Sequence, residues 1–183
     1  ARRVADALGV DRGSLAVDDQ GALEWVLLAR VECCLRRAGA DGPPVLPAPA
    51  PGHDAARCRE RLRRSRLYLP GNQPKLMLSA GLYEADGVIL DLEDSVPPAV
   101  KDEARLLVRN ALLALDWGSS ERMVRINQGA VGDEDLAAIA PCNPHLLLLP
   151  KVEEPERVRQ VAARLHELLG GPEVPFLMPI LEP

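Results

Sequence analysis

The stretch GVILDLEDSV, residues 87–96, places carboxylates directly after a short apolar run that begins at a glycine. An apolar run of this length is typical of a strand that is buried on both faces, as the strands of parallel sheets are. Four further apolar runs have a similar length, at 66–70, 123–127, 146–150 and 176–181. Together with residues 87–92, these runs predict five strands.

Helical patterns fill the intervals between the strands, at 73–83, 100–115, 134–139 and 154–169. The last interval carries an apolar face that includes Val158, Val161 and Leu165, which are spaced as one side of a helix. Strands that alternate with helices predict parallel βα units, either in a doubly wound sheet or in a (β/α)8 barrel.

Polar side chains at the strand ends favour the barrel. They follow the second to fifth predicted strands and comprise Glu93, Asp94, Arg125, Asn127, Lys151, Glu153 and Glu182. In a TIM barrel the carboxyl ends of all strands meet at one mouth, where the active sites of such enzymes lie. None of the strands is followed by a glycine-rich nucleotide-binding motif. The prediction is therefore an α/β fold, a (β/α)8 TIM barrel truncated to about its first five βα units.

Three zones divide the chain. Residues 1–38 form a small N-terminal unit with a helix-like start, a strand-like piece at 14–17 and a strand-to-helix segment at 22–37. Residues 39–56, the linker, contain five prolines, and proline lacks an N–H group and fixes φ. Residues 41–52 of the linker are therefore predicted to be exposed and without regular structure. Such a semi-rigid spacer reaches roughly 50 Å at about 3.1 Å per residue. Residues 57–183 hold the partial barrel.

Composition limits the partner and the compartment. The net charge is −5, which favours neither nucleic acid nor an anionic membrane as a partner. The four cysteines form no C-x-x-C pair and are interpreted as free thiols in a reducing cytoplasm. No apolar run approaches the roughly 18 residues of a membrane span. The three histidines stand apart from acidic clusters and are predicted to be structural or exposed.

Six segments carry a resemblance to a known family. They are RRSRLYLPGN (63–72), GVILDLEDSV (87–96), KDEAR (101–105), VRINQ (124–128), LLPKVE (148–153) and LMPILE (177–182). In order and spacing they resemble the citrate lyase β-subunit family, which belongs to the HpcH/HpaI aldolase–citrate lyase group. Residues 14–37 resemble the C-terminal part of the citrate lyase acyl carrier (γ) subunit, so residues 1–38 are interpreted as a small α/β remnant of that carrier.

The resemblance implies a Mg²⁺-dependent carbon–carbon lyase. The expected reaction cleaves a citryl thioester, on an acyl carrier protein or on CoA, into an acetyl thioester and oxaloacetate. In such a reaction a metal ion holds the oxo or hydroxy acid, and a cation stabilises the developing negative charge. The expected partners are the α and γ subunits of citrate lyase, in a cytoplasmic assembly that is also homo-oligomeric.

The same resemblance assigns roles to individual residues. Glu182 is the expected Mg²⁺ ligand, and the second metal ligand of the family lies beyond Pro183. Arg125 is expected to clamp the substrate carboxylate, because a guanidinium fork binds carboxylate through two hydrogen bonds. Arg125, Glu93 and Asp94 are expected to take part in catalysis. Three further substrate contacts are expected from Arg64, Asn127 and Lys151.

Structural roles for some of these residues stay open. One of Glu93 and Asp94 is expected to accept from the waters of the metal, and the other to cap or pair locally. Arg64 fits a solvated basic patch as well as a substrate entrance. Lys151 fits an ion pair with Glu153 as well as a catalytic role.

Two other functions also stay open. A malyl-CoA or citramalyl-CoA lyase would act on free CoA thioesters instead of a carrier. A non-catalytic fragment or scaffold is the second alternative, because five strands cannot close an eight-stranded barrel and leave the edge backbone exposed. Both ends of the chain are interpreted as truncations, and the 183-residue chain by itself is expected to be inactive.

Overall fold

A parallel sheet is the centre of the fold. The computed structural model of the chain describes residues 1–181 and contains one sheet of five parallel strands. The strands are β1 (Arg66–Pro70), β2 (Gly87–Asp91), β3 (Glu121–Arg125), β4 (Leu146–Leu149) and β5 (Phe176–Pro179). Their order in space equals their order in the chain, as in a β/α barrel, whereas a doubly wound sheet reverses at a switch point. Within the described residues β1 and β5 do not pair, so the barrel is open.

Six α-helices accompany these strands within residues 1–181. They are α1 (Arg2–Ala7), α2 (Glu24–Arg37), α3 (Pro74–Leu78), α4 (Lys101–Ala114), α5 (Gly129–Ile139) and α6 (Pro155–Leu169). A proline opens α3 and α6, where its missing N–H group is not needed by the helix. None of the described helices is long and apolar enough to cross a membrane.

Several element boundaries differ from the predicted ones. β3 begins at Glu121, ahead of the predicted start at 123, and the Glu121 N–H donates to the Asp86 carbonyl oxygen at 3.0 Å. The predicted helix at 73–83 is divided into α3 and a 3₁₀ turn at Ala80–Tyr83. The helix predicted at 134–139 is longer, since α5 already begins at Gly129.

The strand predicted at 14–17 does not form, which corrects the α/β description of the N-terminal unit. Residues 1–38 contain α1 and α2 as their regular elements. Leu15 and Val17 are exposed, and the described sheet does not include this segment. An unpaired strand leaves its N–H and C=O groups without protein partners. The N-terminal unit is therefore helical.

The two faces of the sheet pack against different partners. Side chains alternate along each strand, and Val88, Leu90 and Val124 lie on the face that packs into the main core with the helices. Ile89 and Met123 point to the opposite face and form a second apolar cluster with residues of β4 and β5. This second cluster lies on the inner face of the open barrel.

A buried ion pair joins the N-terminal unit to the barrel. Glu32 of α2 is 0% exposed and Arg109 of α4 is 5% exposed. Arg109 donates to both carboxylate oxygens of Glu32, at 3.0 and 2.7 Å, and Arg36 donates to the same carboxylate at 2.9 Å. Burial by itself would raise the pKa of Glu32, but the hydrogen bonds from Arg109 and Arg36 hold it below its usual value.

Apolar packing surrounds this ion pair. Trp25, Ala29 and Cys33 of α2 belong to the same core cluster as the inner face of α4. In addition, Asn110 Nδ2 donates to the Trp25 carbonyl oxygen at 2.9 Å, and both residues are buried. The N-terminal unit therefore shares one core with the barrel.

The linker is anchored to the barrel. As predicted, it contains no helix or strand, and most of its residues are exposed. The Ala50 N–H donates to the Leu113 carbonyl oxygen at 2.7 Å. The His53 carbonyl oxygen accepts from Arg122 Nη2 at 2.7 Å and from Asn143 Nδ2 at 2.8 Å. These bonds hold the linker against the amino edge of the sheet, where the strands begin. The linker therefore does not act as the extended spacer that its prolines suggested.

A buried histidine lies under this anchor. The Arg122 backbone N–H donates to His145 Nδ1 at 3.1 Å, and His145 Nε2 lies 2.8 Å from Arg122 Nη2 and 3.2 Å from the Ala55 carbonyl oxygen. Burial, together with the adjacent charges of Arg122, Arg57 and Arg61, lowers the pKa of His145 from 6.5 to about 4.

We expect the free energy of unfolding to fall by about 2 kcal/mol more between pH 7 and pH 5 in the unmodified chain than in a His145→Asn variant. The pKa of His145 is lower in the folded chain, so below pH 6.5 the unfolded chain takes up the proton first. Each pH unit below 6.5 then removes about 1.4 kcal/mol, until the folded pKa near 4 is reached. Urea unfolding at each pH measures the difference, and equal slopes for the two proteins would contradict it.

Candidate active site at the carboxyl edge of the sheet

A carboxylate and a guanidinium face each other at the ends of β2 and β3. Asp91 and Arg125 are the last residues of these strands and are direct partners in the parallel register, so their side chains point to the same side of the sheet. Arg125 Nε lies 2.7 Å from Asp91 Oδ1, and Nη2 lies 2.7 Å from Oδ2. This two-pronged contact fixes the guanidinium plane at the mouth of the barrel.

Two further carboxylates and a lysine complete the cluster. Lys151, just beyond β4, places Nζ 2.6 Å from Glu93 Oε1 and 3.3 Å from Asp94 Oδ1. Arg125 Nη1 lies 3.1 Å from Glu93 Oε2. Three carboxylates and two cations therefore meet at one edge, and we call Asp91, Glu93, Asp94, Arg125 and Lys151 the mouth cluster.

The loop after β2 is held in place by backbone hydrogen bonds. Asp91 accepts the Glu93 N–H at 2.9 Å and the Ser95 N–H at 3.1 Å, so one carboxylate both orients Arg125 and folds the loop. Lys101 Nζ donates to the carbonyl oxygens of Leu92 and Glu93, at 2.8 and 2.7 Å. Glu93 is thereby fixed both at its backbone and at its side chain.

Lys151 has an unusual backbone conformation. Its φ is 50°, in the left-handed region that residues with a Cβ rarely adopt. Gln128 Nε2 donates to the Lys151 carbonyl oxygen at 3.1 Å and to the Pro150 carbonyl oxygen at 3.1 Å, which holds this turn. Strained conformations of this kind concentrate at functional sites.

The charges of the mouth cluster stabilise one another. Burial would raise the pKa of Asp91, but hydrogen bonds from Arg125, Ser95 and Glu93 outweigh it and hold that pKa at about 2. The hydrogen bond to Asp91 raises the pKa of Arg125, and hydrogen bonds to Glu93 and Asp94 raise the pKa of Lys151. Asp91, Arg125 and Lys151 therefore remain charged at neutral pH.

The open side of the cluster faces the barrel interior. The ring of Tyr68, on β1, lies 5.4 Å from the Arg125 guanidinium carbon, within the range of a cation–π contact. A guanidinium has five N–H groups. Asp91 accepts hydrogen bonds from two of those on Arg125, and a third, on Nη1, lies nearest to Glu93 Oε2 in an ion pair without a well-directed hydrogen bond. Within residues 1–181 the remaining two make no hydrogen bond.

Asn127 lies beside the cluster and is fully engaged in the fold. It is 6% exposed. Its Nδ2 donates to the Leu92 carbonyl oxygen at 2.9 Å and to Asp135 Oδ2 at 2.7 Å. Asn127 thus ties the loops after β2 and β3 together, and its contacts are with the protein itself.

Arg64 is not brought to the mouth. It precedes β1 and pairs with Asp86, which precedes β2, at 3.2 Å. Residues that precede parallel strands lie at the amino edge, opposite to the edge that carries Arg125. This position corrects the expectation that Arg64 lies at the substrate entrance, and matches its alternative interpretation as an exposed basic residue at the surface.

Asp91 belongs to the site although strand-end reasoning does not single it out. In the sequence it reads as the last residue of a buried strand, ahead of the more conspicuous Glu93 and Asp94. The strand register identifies Asp91 as a site residue, because the pairing of β2 with β3 places Asp91 directly beside Arg125. In these positions the Asp91 carboxylate and the Arg125 guanidinium form an ion pair.

Magnesium is the cofactor that the family resemblance implies. Within residues 1–181 no group of three or more His, Cys, Asp or Glu side chains is arranged to hold a metal ion. Glu93 fits a supporting role, since its buried Oε2 receives no well-directed hydrogen bond, although Arg125 Nη1 is 3.1 Å away. Such an oxygen can accept from a water of Mg²⁺, which keeps several waters in proteins. Glu182, the expected ligand, lies outside the described residues.

Comparison with known proteins agrees with this architecture. The chain is 43% identical over 111 residues to citrate lyase subunit beta of Leuconostoc mesenteroides subsp. cremoris, which covers 60% of this chain and 34% of that protein. It is 37% identical over 113 residues to human mitochondrial citramalyl-CoA lyase, which covers 60% of this chain and 33% of that protein. The chain thus spans about a third of the length of these curated relatives.

A solved structure shows the same likeness. It is the crystal structure of CitE from Mycobacterium tuberculosis in complex with magnesium, acetoacetate and coenzyme A. It matches with a TM-score of 0.50 and 32% identity, and covers 66% of this chain and 41% of that one. Residues 64–171 also match the family model described as HpcH/HpaI aldolase/citrate lyase. From this match, which takes in β1 to β4 and the mouth cluster, it follows that the chain belongs to the HpcH/HpaI aldolase/citrate lyase family.

Proposed function

We propose that this chain supplies the first part of the catalytic barrel of a carbon–carbon lyase that cleaves a citryl thioester into an acetyl thioester and oxaloacetate. The observation that carries the proposal is the mouth cluster, in which Arg125 is held by Asp91 with two N–H groups still available. Membership of the family and the identity to citrate lyase subunit beta support the class of reaction.

The proposed reaction is a retro-Claisen cleavage. The hydroxyl group of the citryl substrate loses its proton and becomes the oxo group of oxaloacetate. The bond from this carbon to the thioester-bearing CH₂ group breaks, and its electron pair passes to the thioester as an enolate. A proton added to that carbon then gives the acetyl thioester. Negative charge therefore moves during the reaction, and fixed cations near that charge lower the free energy of the transition state.

Arg125 is proposed to bind a substrate carboxylate through its two remaining N–H groups, while Asp91 keeps its plane fixed. Asp91 is a poor proton acceptor, because its pKa is held at about 2. Its proposed role is to position Arg125. Lys151 lies close enough to Glu93 and Asp94 to orient both, and it adds a second positive charge to the mouth.

Mg²⁺ is proposed as the cofactor. When bound, the ion would polarise the oxygen atoms of the hydroxy or oxo acid. Glu93 is proposed to accept from a metal-bound water through Oε2, and Glu182 is proposed as a direct ligand. The Glu182 carboxylate would supply an oxygen ligand of the kind that a hard cation prefers.

Carrier-bound and CoA-bound substrates remain distinct candidates. The carrier-like segment at 14–37 favours a thioester on an acyl carrier, with the α and γ subunits of citrate lyase as partners in a cytoplasmic, homo-oligomeric assembly. The 37% sequence identity to citramalyl-CoA lyase supports the second candidate, a citramalyl-CoA or malyl-CoA lyase that acts on free CoA thioesters. A scaffold without activity is the third candidate, because the five-stranded sheet is open.

An assay on a completed barrel tests the proposal. The chain is joined at its C-terminal strand to the remainder of the L. mesenteroides subunit, and the product is supplied with citryl-CoA, citramalyl-CoA or malyl-CoA. We expect release of oxaloacetate from citryl-CoA that stops on addition of EDTA and resumes with Mg²⁺. The 183-residue chain, assayed in parallel, is expected to be inactive.

The result can contradict the proposal in two ways. A folded, completed barrel that cleaves none of the three thioesters would favour the scaffold. Cleavage that persists unchanged in EDTA would remove the metal from the mechanism. Preference for citramalyl-CoA or malyl-CoA over citryl-CoA would instead select the second candidate.

A further inference from the structure

The hydrogen-bond ladder between β2 and β3 ends at the mouth with a substituted bond. At the amino end of this pair the Glu121 N–H donates to the Asp86 carbonyl oxygen at 3.0 Å. In the regular parallel pattern the Asn127 N–H would repeat this bond to the Leu92 carbonyl oxygen, since both pairs are 35 positions apart. The Asn127 N–H donates instead to Asp135 Oδ2 at 2.9 Å, and the Leu92 carbonyl oxygen accepts from Asn127 Nδ2 at 2.9 Å. A side-chain amide therefore takes the place of the backbone at the last position of the ladder.

A buried carboxylate on α5 causes this substitution. Asp135 is fully buried. Its Oδ2 accepts both the backbone N–H and the side-chain Nδ2 of Asn127, at 2.9 and 2.7 Å, and its Oδ1 accepts from Arg105 Nε at 2.7 Å. Hydrogen bonds to a charged acceptor are shorter and stronger than those to a neutral carbonyl group. Asp135 can therefore hold the Asn127 N–H in competition with the carbonyl oxygen of Leu92.

The first turn of α5 packs directly on the end of β3. A Cβ at position 132 would overlap the Asn127 carbonyl oxygen, so this close approach requires Gly132. Asp135 follows three residues later, on the same side of the helix. The packing at Gly132 thus fixes the distance between the Asp135 carboxylate and the Asn127 backbone.

The Leu92 carbonyl oxygen connects this arrangement to the mouth cluster. It accepts from Asn127 Nδ2 at 2.9 Å and from Lys101 Nζ at 2.8 Å, and Glu93 follows it in the chain. Asp91, which precedes it, accepts the Glu93 N–H at 2.9 Å. The turn at which Glu93 leaves the strand is therefore held from both sides.

We propose that Asp135 is a positioning residue of the mouth, which withdraws the Asn127 backbone from the ladder so that the Asn127 amide holds the loop that carries Glu93. The inference rests on the proposed function, because Glu93 is the carboxylate proposed to accept from a metal-bound water. Asp135 is fully buried, so it acts through Asn127 and does not contact the substrate. Asn127, which was expected to bind the substrate, then contributes in the same indirect way.

Hydrogen exchange of the 183-residue chain, followed by NMR, tests the positioning without an assay of activity. Asp135→Asn keeps the size of the side chain, but one of its polar atoms becomes an NH₂ group that cannot accept a hydrogen bond. We expect the Glu93 and Ser95 amide hydrogens, which donate to Asp91, to exchange at least about 10-fold faster at pH 7, through local opening of this loop. Amide hydrogens at the centre of β2 should keep their rates. Unchanged exchange at Glu93 and Ser95 would overturn the proposal.

Two variants on the same helix serve as controls. Asp133→Asn makes the same chemical change two residues earlier, where the side chain is 59% exposed. Glu134→Gln removes the other carboxylate that pairs with Arg105, at 2.7 Å. Neither should change the exchange at Glu93. Exchange that is as fast in both controls as in Asp135→Asn would trace the effect to the charge of α5 and overturn the proposal.

Asn127→Ala is a second variant that carries the test if Asp135→Asn does not fold. It removes the Nδ2 group that donates to the Leu92 carbonyl oxygen and keeps the backbone N–H that Asp135 accepts. We expect the same faster exchange at Glu93. Circular-dichroism melting confirms that the compared proteins are folded. Normal exchange in a folded Asn127→Ala variant would show that the amide does not hold the loop, and would overturn the proposal.

The completed barrel adds a measurement that a loss of stability alone would not change. In Asp135→Asn we expect the Mg²⁺ concentration for half-maximal rate to rise about 10-fold, as for the loss of an outer partner of a metal site, with the KM for citryl-CoA changed less than about 3-fold. Asp133→Asn should match the unmodified barrel in both quantities. An unchanged Mg²⁺ requirement in Asp135→Asn would overturn its positioning role.

Failure of this inference and failure of the lyase proposal can be told apart. Faster exchange at Glu93 in Asp135→Asn, with a completed barrel that cleaves none of the three thioesters, would refute only the reaction. Cleavage by the completed barrel, with normal exchange at Glu93 in a folded Asp135→Asn variant, would refute only the positioning role.

Discussion

The completed lyase should lose at least about 100-fold in kcat when Arg125 is replaced by alanine, which corresponds to about 3 kcal/mol or more of transition-state stabilisation. Arg125 is the proposed contact to the substrate carboxylate, and its plane is fixed by two 2.7 Å contacts to Asp91. Steady-state rates of oxaloacetate release from citryl-CoA measure the effect, with saturating substrate to separate kcat from KM.

Two controls isolate the contribution of this side chain. Arg64→Ala removes an arginine at the amino edge, where it pairs with Asp86 in an exposed position, and should leave kcat nearly unchanged. Arg125→Lys keeps the charge and loses the two-pronged geometry, so it should recover only part of the rate. Full activity of Arg125→Ala, in a protein whose melting temperature is retained, would remove Arg125 from the mechanism.

The largest effect on stability is expected from Glu32→Ala. The substitution leaves the Arg109 guanidinium, which is 5% exposed, without its carboxylate partner. Breaking a buried ion pair by removal of one partner costs about 3–5 kcal/mol. Urea unfolding of the 183-residue chain should show this loss as a lower midpoint, and hydrogen exchange should show early opening of α2.

A surface pair and a double variant test the cause. Arg30→Ala removes an ion pair with Glu103 between the same two helices, but Arg30 is half exposed, so the loss should stay below about 1 kcal/mol. Glu32→Leu combined with Arg109→Met replaces both charges with apolar groups and should restore most of the stability. A loss from Glu32→Ala no larger than that from Arg30→Ala would show that α2 is not held by this pair.

The order of strands and helices could be predicted from local patterns. The apolar runs at 87–92 and 146–150 each correspond closely to a buried strand, because burial on both faces requires continuous apolar sequence. A strand also forms at 66–70, although most of its residues are partly or fully exposed. The ends of the strands were less predictable. The boundaries of a strand are set by its hydrogen bonds to the neighbouring strand. For example, β3 begins at Glu121, whose N–H donates to the Asp86 carbonyl oxygen. That neighbour is distant in sequence.

The polar residues of the site were only partly predictable. Strand direction places Glu93, Arg125 and Lys151 at one edge, since each ends or follows a parallel strand. The same rule applied to Arg64, which precedes its strand, indicates the opposite edge. Asp91 gains its importance from register alone, because only the pairing of β2 with β3 brings it beside Arg125.

The sequence by itself determined the parallel βα order and the edge at which polar residues gather, because these follow from the apolar runs and from chain direction. The family resemblance came from the six motif segments. Only the tertiary structure decided how the N-terminal unit and the linker are attached. Glu32 and Arg109 are 77 positions apart, and His53 and Arg122 are 69 apart. No local period encodes such pairs, because a buried charge is stabilised by whichever opposite charge or carbonyl the folded chain brings within hydrogen-bond distance.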